Sequence, residues 1–189
     1  MPSELDLVNI ALAELGRPVV TSLSDNESAQ LLGKRIETLA PIQLLSYNWN
    51  FAIKYRSDNT PLVDNFSEDF VYTYNLPGDY GKFYKWASIG NQHPSYQIVD
   101  GLLQTNEKPI KYYYIINNAG YEILPSLYAY ALAIYAASEL CLVLTNNIQL
   151  TSYLKQKHTE YINKAILEND MERAVTSMPY NDFDRTTFV

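Results

Sequence analysis

The amino-acid sequence predicts an α+β fold: a four-helix bundle, a small antiparallel β domain inserted between helices 2 and 3, and an extended C-terminal tail. Apolar residues recur every three to four positions toward both ends of the chain, which is typical of helices. In the middle they recur every second position, which is typical of strands. With 189 residues, the chain is long enough to bury ~70% of its unfolded surface without a disulfide or metal.

The first helix is predicted over residues 3–15. Ser3 is suited to cap its N-terminus, and acidic residues follow in the first turn, near the positive end of the helix dipole. Apolar residues at 3–4 spacing form one stripe along it. Gly16 and then Pro18 are expected to end this helix.

The second helix is predicted from about Glu27 to Ser46. It is preceded by a segment that resembles a capping box, with Ser24 at the cap and Glu27 three residues later. Pro41 lies inside this range and lacks the backbone donor that the helix needs there. We therefore expect Pro41 to kink the helix or to divide it.

Strand patterning extends over about residues 50–118. Asp100-Gly101 is a two-residue hairpin signal, and Leu76-Pro77-Gly78-Asp79 is typical of a turn. These turns separate short runs of alternating apolar and polar residues, which together predict one small antiparallel sheet. The predicted strands span residues 70–76, 83–89, 96–99, 102–105 and 110–116.

Helical periodicity returns near Tyr121. A third, alanine-rich helix is expected to run to about Leu144, and a fourth from about Gln149 to Ala174. The predicted domains are therefore a helical bundle formed by residues 1–49 and 119–174, an inserted β domain at 50–118, and a C-terminal arm at 175–189.

The apolar segment 127–144 is long enough to span a membrane. Ser138 and Glu139 interrupt it, and a carboxylate inside a membrane costs on the order of 2.5 kcal/mol or more. We therefore interpret this segment as a buried core helix and expect no membrane insertion.

Composition excludes some classes of function. The formal net charge of −7 disfavours a protein that grips nucleic acid, because such affinity depends on Lys and Arg releasing counterions. The single cysteine, Cys141, cannot form an internal disulfide and is expected to be a core residue.

Motifs for catalysis or cofactor binding are missing from the sequence. His93 and His158 form no metal-ligand spacing with Cys141, and we interpret both as solvated surface histidines. No glycine-rich phosphate loop and no nucleophile–base set can be identified. We therefore expect no enzymatic activity, no catalytic or metal-binding residues and no cofactor.

Five motifs, taken in order, resemble one protein family. They are LVNIALAELGRPVVTSLSDNESAQLL; LLSYNWNFAIKY; FVYTYNLPGDYGKFYKW; IVDGLLQTN with IKYYYI; and LYAYALAIYAASELCLVLTNN. Together they are similar to the head-to-tail adaptors of short-tailed (podovirus-type) bacteriophages, the tail tubular protein A family. The residues that match its signatures, expected to be mainly structural, are Trp49, Asn50, Phe51, Tyr72, Tyr74, Leu76, Pro77 and Asp79.

The resemblance implies a structural virion protein rather than an enzyme. Copies of the chain would form a ring, expected to be a dodecamer, that acts as a head–tail connector between the portal protein and the distal tail (nozzle) protein. The ring would continue the DNA ejection channel and would meet DNA only transiently. Such a protein is assembled in the host cytoplasm and resides in the virion tail.

Two alternatives remain open. The chain contains 17 tyrosines, and aromatic rings stack on sugars, so a polysaccharide-binding or polysaccharide-cleaving tail component is the runner-up. Cleavage would require a carboxylate pair that the sequence does not identify. The other alternative is an unrelated soluble oligomeric adaptor of bacterial origin.

The C-terminal arm at 175–189 lacks the apolar period of a fifth helix, yet it is rich in aromatic residues. Such segments often become ordered on a partner, with aromatic residues as anchors. We predict an assembly arm with Tyr180, Phe183 and Phe188 as anchors and Arg185 as a polar clamp, facing a neighbouring subunit or the portal. The alternative is that the arm folds back on its own bundle.

Overall fold

The structure, a computed structural model, describes residues 2–64, 69–87 and 94–177. It is a mixed α+β fold with four α-helices and two small antiparallel sheets among these residues. The helices are α1 (Glu4–Glu14), α2 (Glu27–Ser46), α3 (Ser126–Thr145) and α4 (Ile148–Ser177). Single 3₁₀ turns at Asn50–Ala52 and Tyr121–Ile123 mark the two passages between helical and strand structure.

The N-terminal caps follow local side-chain chemistry. Ser3 and Asp6 form a reciprocal capping box at the start of α1, which confirms the predicted cap. The predicted cap of α2 is wrong: Asn26, not Ser24, occupies this position and accepts a hydrogen bond from the backbone N–H of Ala29 at 2.8 Å. Asn is as good an N-cap as Ser, and here it directly precedes the first helical residue.

Helix α2 continues without interruption through Pro41, so of the two expected effects of Pro41, a kink or a division, the division does not occur. Helix α3 ends where Asn146 adopts a left-handed backbone with φ of 53°, which confirms the predicted break. Helix α4 extends to Ser177. The first three residues of the predicted arm, 175–177, therefore continue the helix, and this part of the predicted boundary is wrong.

The strands form two sheets rather than the single sheet that was predicted. The first sheet has the order β1-β7-β4 and the second has the order β2-β3-β6-β5, with antiparallel neighbours throughout. The strands are β1 (Ile53–Asp58), β2 (Val63–Asp64), β3 (Tyr72–Asn75), β4 (Tyr80–Trp86), β5 (Tyr96–Val99), β6 (Leu102–Thr105) and β7 (Ile110–Ile116).

Three of the predicted strands, β5, β6 and β7, have the predicted bounds, whereas β1 and β2 were not predicted. Asp100 and Gly101 both have positive φ, 50° and 74°, in the tight turn between β5 and β6. Strand β4 begins at Tyr80, three residues before its predicted start, because the turn at 77–80 leads directly into it.

Helix α3 contacts all three other helices. Its buried alanines leave room for this close packing; they are Ala129, Ala131, Ala133, Ala136 and Ala137. Among the described residues, α3 is the one helix long and apolar enough to cross a membrane, and 56% of its most apolar window is buried inside the protein. Glu139, which interrupts the apolar run, forms an ion pair with Arg35 of α2 at 2.6 Å.

Candidate functional site

Trp49 lies at the junction where α2 leads into the first sheet. It is 1% exposed, and its ring packs edge-on against Tyr128 of α3 with centroids 4.9 Å apart. Phe51 packs against the same tyrosine at 5.1 Å. The indole N–H of Trp49 donates to the backbone carbonyl of Gln43 at 3.3 Å. Trp49 and Phe51 thus anchor the junction to α3.

Asn50, between these aromatics, is held by α4. Its backbone N–H donates to the side-chain oxygen of Asn169, and its side-chain amide donates to the backbone carbonyl of Asn169, both at 2.7 Å. Arg173, one turn further along α4, donates to the carbonyl of Asn48 at 2.8 Å and to the side chain of Asn50 at 3.2 Å. We call Asn48, Asn50, Asn169 and Arg173 the junction clasp.

Two further contacts extend the clasp. The Tyr47 hydroxyl donates to the carboxylate of Asp170 at 2.7 Å, and this hydrogen bond raises the pKa of Tyr47. The guanidinium of Arg173 lies over the ring of Tyr84 in β4, 5.7 Å from its centroid. The C-terminal half of α4 therefore contacts both the junction and the first sheet.

Asp79 occupies the turn before β4. Its carboxylate accepts hydrogen bonds from Lys54 at 2.6 Å and from the Tyr114 hydroxyl at 3.0 Å. The hydrogen bond from Lys54 is the main reason why the pKa of Asp79 lies below its ordinary value. Pro77 closes the same turn by accepting from the backbone N–H of Tyr80 at 3.0 Å. These contacts tie the turn to β1 and β7.

The remaining signature residues lie in or beside the second sheet. Tyr74 is buried, and its hydroxyl donates to the carbonyl of Glu107 at 3.0 Å. Tyr72 pairs with Thr105 in β6 and carries the ammonium of Lys108 over its ring at 5.3 Å. Leu76 is half-buried and packs against the core. The eight signature residues thus hold three places, the junction, the second sheet and the turn before β4, and each has a structural partner.

Two tyrosines of the strands pack on Phe83 and Trp86 of β4. Phe83 stacks on Tyr96 at 4.3 Å and on Tyr112 at 5.7 Å, and Trp86 meets both tyrosines edge-on. Tyr112 is fully buried, and burial raises its pKa to about 12. This stack uses ring faces that a sugar would need.

The interpretation of His158 as a solvated surface residue is wrong. It is half-buried and stacks on Tyr135 with centroids 4.6 Å apart, and burial lowers its pKa. Its Nε2 atom has no hydrogen-bond partner among the described residues. Cys141 is buried, as expected. His93 lies outside the described residues.

A polar cluster joins α1 to α3 and α4. Lys157 donates to both carboxylate oxygens of Glu14 at 2.8 Å, and the Tyr130 hydroxyl donates to the same carboxylate at 2.5 Å. Burial by itself lowers the pKa of Lys157, but the hydrogen bonds to Glu14 and Tyr130 outweigh it and leave that pKa raised. The cluster is held as a charged pair and offers no unpaired base.

Near the C-terminal end of α4 lies an open groove of about 540 Å³ with a mainly apolar lining. We call it the α3–α4 groove; it is lined by Leu127, Lys164, Leu167, Glu168, Met171 and Glu172. The four predicted anchors of the arm, Tyr180, Phe183, Arg185 and Phe188, lie outside the described residues.

Within residues 2–64, 69–87 and 94–177, no group of three or more His, Cys, Asp or Glu side chains is arranged to hold a metal ion. Comparison with protein-family models gives no match to this chain, and comparison with curated proteins gives no significant match.

The part that Asn169 and Arg173 play in the junction clasp was not predicted from the sequence. The two residues are four positions apart and so share one face of α4. An asparagine on the packed face of a helix is the one signal that sequence offers, since Asn favours caps and turns unless a partner holds it. Its partner, Asn50, is 119 positions away and could not be chosen from periodicity.

Proposed function

We propose that this chain is a head-to-tail adaptor of a short-tailed bacteriophage. It is a structural virion protein whose copies form a ring, of twelve subunits, between the portal and the distal tail protein, and the ring continues the DNA channel. The observation that carries this proposal is the occurrence of five family-like motifs in the family's order along the chain. As part of the proposal, the four helices form one bundle and the strands form a domain inserted between helices 2 and 3.

The positions of the signature residues support this proposal. Trp49, Asn50 and Phe51 fix the passage from helix to sheet, and Asp79 fixes the turn before β4. Residues with such roles define a fold, so they are the residues that related adaptors would share. Partner contacts are then left to surfaces outside the motifs.

Charge also supports a channel protein. The chain carries a net charge of −7, and a wall with this sign repels the phosphates of a passing duplex. DNA would meet such a wall without forming ion pairs that slow its movement. A protein that grips DNA would need the opposite charge.

The packing of the tyrosines favours the adaptor over the polysaccharide alternative. Tyr96 and Tyr112 each stack on Phe83, and Tyr74 is buried. Rings engaged in this way stabilise the sheets rather than present a stacking platform to a sugar.

The test is reconstitution with portal rings. We expect the purified chain, mixed with the matching portal, to give a complex with one adaptor copy per portal subunit by native mass spectrometry and an added ring below the portal by electron microscopy. A triple variant, Tyr180→Ala/Phe183→Ala/Phe188→Ala, should bind the portal more weakly, since aromatic anchors commonly carry most of an interface's energy. A chain that never associates with portal rings would contradict the proposal.

A further inference from the structure

We infer that two copies of this chain associate through strand β5, which pairs in antiparallel orientation with the β5 strand of the second copy. The pairing joins the second sheets of the two copies into one continuous sheet. It goes beyond the proposed function and does not rest on it, because it concerns the purified chain without a portal. A two-fold contact joins chains only in pairs, so this surface is separate from the contacts that would close a ring.

The outer edge of β5 carries backbone groups that are free to pair. β5 is the last strand in the order β2-β3-β6-β5, so it has a neighbouring strand on one side only. In a two-residue hairpin the pair that flanks the turn, here Val99 and Leu102, is hydrogen-bonded, and hydrogen-bonded pairs then alternate along the strands. The backbone groups of Gln97 and Val99 therefore point to β6, whereas those of Tyr96 and Ile98 point outward. Two N–H and two C=O groups are thus unpaired at this edge within the described part of the chain.

Among the described strands, β5 is the one edge strand without a feature that hinders pairing. Natural proteins protect edge strands with charged side chains, with bulges or by making them very short. β1 carries three charged residues, β2 has two residues of which one is Asp64, and β4 carries two lysines and two register shifts against β7. β5 has the sequence Tyr-Gln-Ile-Val, with neither a charge nor a proline, and its pairing with β6 is regular.

The side chains of β5 favour a second copy as the occupant of this edge. Tyr96, Ile98 and Val99 are 39%, 38% and 43% exposed, and residues of these types fit a pleated surface. A two-fold axis at Gln97 places Tyr96 opposite Ile98 of the second copy, so the outward backbone groups of the two strands bond to each other. An aromatic ring opposite a β-branched side chain is a stabilising cross-strand pair.

This register also keeps like charges apart. The chain carries a net charge of −7, so two copies associate best through a surface that is itself uncharged. Asp100, the acidic residue that follows β5, lies three residues from the axis, which places the two Asp100 side chains about 20 Å apart. That separation exceeds the Debye length of about 8 Å at physiological ionic strength.

Sedimentation velocity of the full chain measures the association. A contact of four residues a side is smaller than the ~800 Å² per partner of a standard interface, so we expect a weak dimer with a Kd on the order of 100 μM. Scans over roughly 10 to 1,000 μM bracket this value and should show a shift from monomer to dimer. A chain that stays monomeric throughout this range would overturn the inference.

Charged variants of Gln97, which is exposed, test the two-fold register. Gln97→Glu and Gln97→Lys should each weaken self-association about fivefold, because like charges then lie directly opposite. An equimolar mixture of the two variants should associate at least as strongly as the wild type. The matched control, Gln30→Glu at an exposed position of α2, changes the net charge equally and should leave the dimer unchanged. A dimer that the changes at Gln97 leave unaffected would overturn the inference.

Cysteine variants test the same register without adding a charge to the hairpin. Two copies of residue 97 lie opposite each other in this register, whereas two copies of residue 99 lie four residues apart, or about 13 Å. Under mild oxidation Gln97→Cys should form an interchain disulfide about tenfold faster than Val99→Cys, its control on the same face of β5. The native Cys141 is buried and stays in place. Equal rates, or a faster reaction of Val99→Cys, would overturn the inference.

Discussion

Asn50 and Asn169 form a crossed pair of hydrogen bonds in which each backbone is bound by the other side chain. The N–H of Asn50 donates to the Asn169 side chain, while the Asn50 side chain donates to the Asn169 carbonyl, both at 2.7 Å. The Asn169 side chain thus satisfies the backbone N–H in the turn after Trp49. The Asn50 side chain in return binds a backbone carbonyl within α4. The pair thus connects the junction to a helix more than a hundred residues away in the chain.

Asn169→Ala should therefore destabilise the protein. Asn169 is buried, and its loss leaves the backbone N–H of Asn50 without its acceptor, which costs about 1–3 kcal/mol. Urea unfolding followed by circular dichroism measures this change. Asn163→Ala, at an exposed position of the same helix, should change the free energy of unfolding by less than about 0.5 kcal/mol. Equal effects of the two changes would mean that the crossed pair adds nothing.

Trp49→Ala should lower the free energy of unfolding by about 3–5 kcal/mol, because it removes a buried ring that packs against Tyr128 and Phe51. The control is Ile42→Ala, an exposed position on α2 where about 0.5 kcal/mol or less is expected. Denaturant midpoints of the two variants give the comparison. A small effect at Trp49 would show that the junction repacks around the cavity.

Local patterns predicted much of the fold. The hairpin at Asp100-Gly101 was visible because few residue pairs tolerate two consecutive positive φ angles. Strand β1 was not predicted because apolar and polar residues alternate only weakly along it. It is stabilised by pairing with β7, which lies more than fifty residues later in the chain. The splitting of the strands into two sheets depends on the same distant pairings.

The contacts around the candidate site were harder to predict. The apolar spacing of α4 indicated which side packs, but it gave no reason to place Arg173 beside Asn48 and Tyr84. His158 was taken for a surface residue because its neighbours in sequence are polar, whereas the ring of Tyr135 covers it from α3. The burial and contacts of such side chains depend on residues from other helices and strands, which periodicity does not identify.

Glu14→Gln should destabilise the protein by about 1.5–3 kcal/mol, the range for hydrogen bonds to charged groups. Both side chains of the Glu14–Lys157 pair are mostly buried, so the variant leaves Lys157 without a counter-charge. The control is Glu160→Gln, which breaks the exposed Lys164–Glu160 pair on the same helix and should change stability much less. Thermal unfolding at one fixed pH compares the two. Costs of similar size would show that burial adds nothing to the Glu14 pair.

Tyr112→Phe should leave stability at neutral pH unchanged or slightly higher, because the Tyr112 hydroxyl is buried and has no hydrogen-bond partner among the described residues. Burial raises its pKa to about 12, above an unfolded value of about 10. The unfolded chain therefore loses this proton first, and stability falls as pH rises from about 10 to 12. The variant should lose stability less steeply over that range, as measured by urea titrations at several pH values. An unchanged slope would contradict a raised pKa of Tyr112 in the folded protein.

His158→Phe should make the protein less sensitive to mild acid. Burial lowers the pKa of His158, so below the unfolded value of about 6.5 the unfolded chain binds a proton that the folded chain does not. The free energy of unfolding of the wild type therefore falls as pH drops from about 6.5 through the lower folded pKa. A phenyl ring keeps the stack on Tyr135 but cannot be protonated, so the variant should show a smaller loss between pH 7.5 and 5 in urea titrations. Tyr135→Phe, which keeps both the stack and the imidazole, should retain the wild-type slope. An unchanged slope in His158→Phe would contradict the prediction.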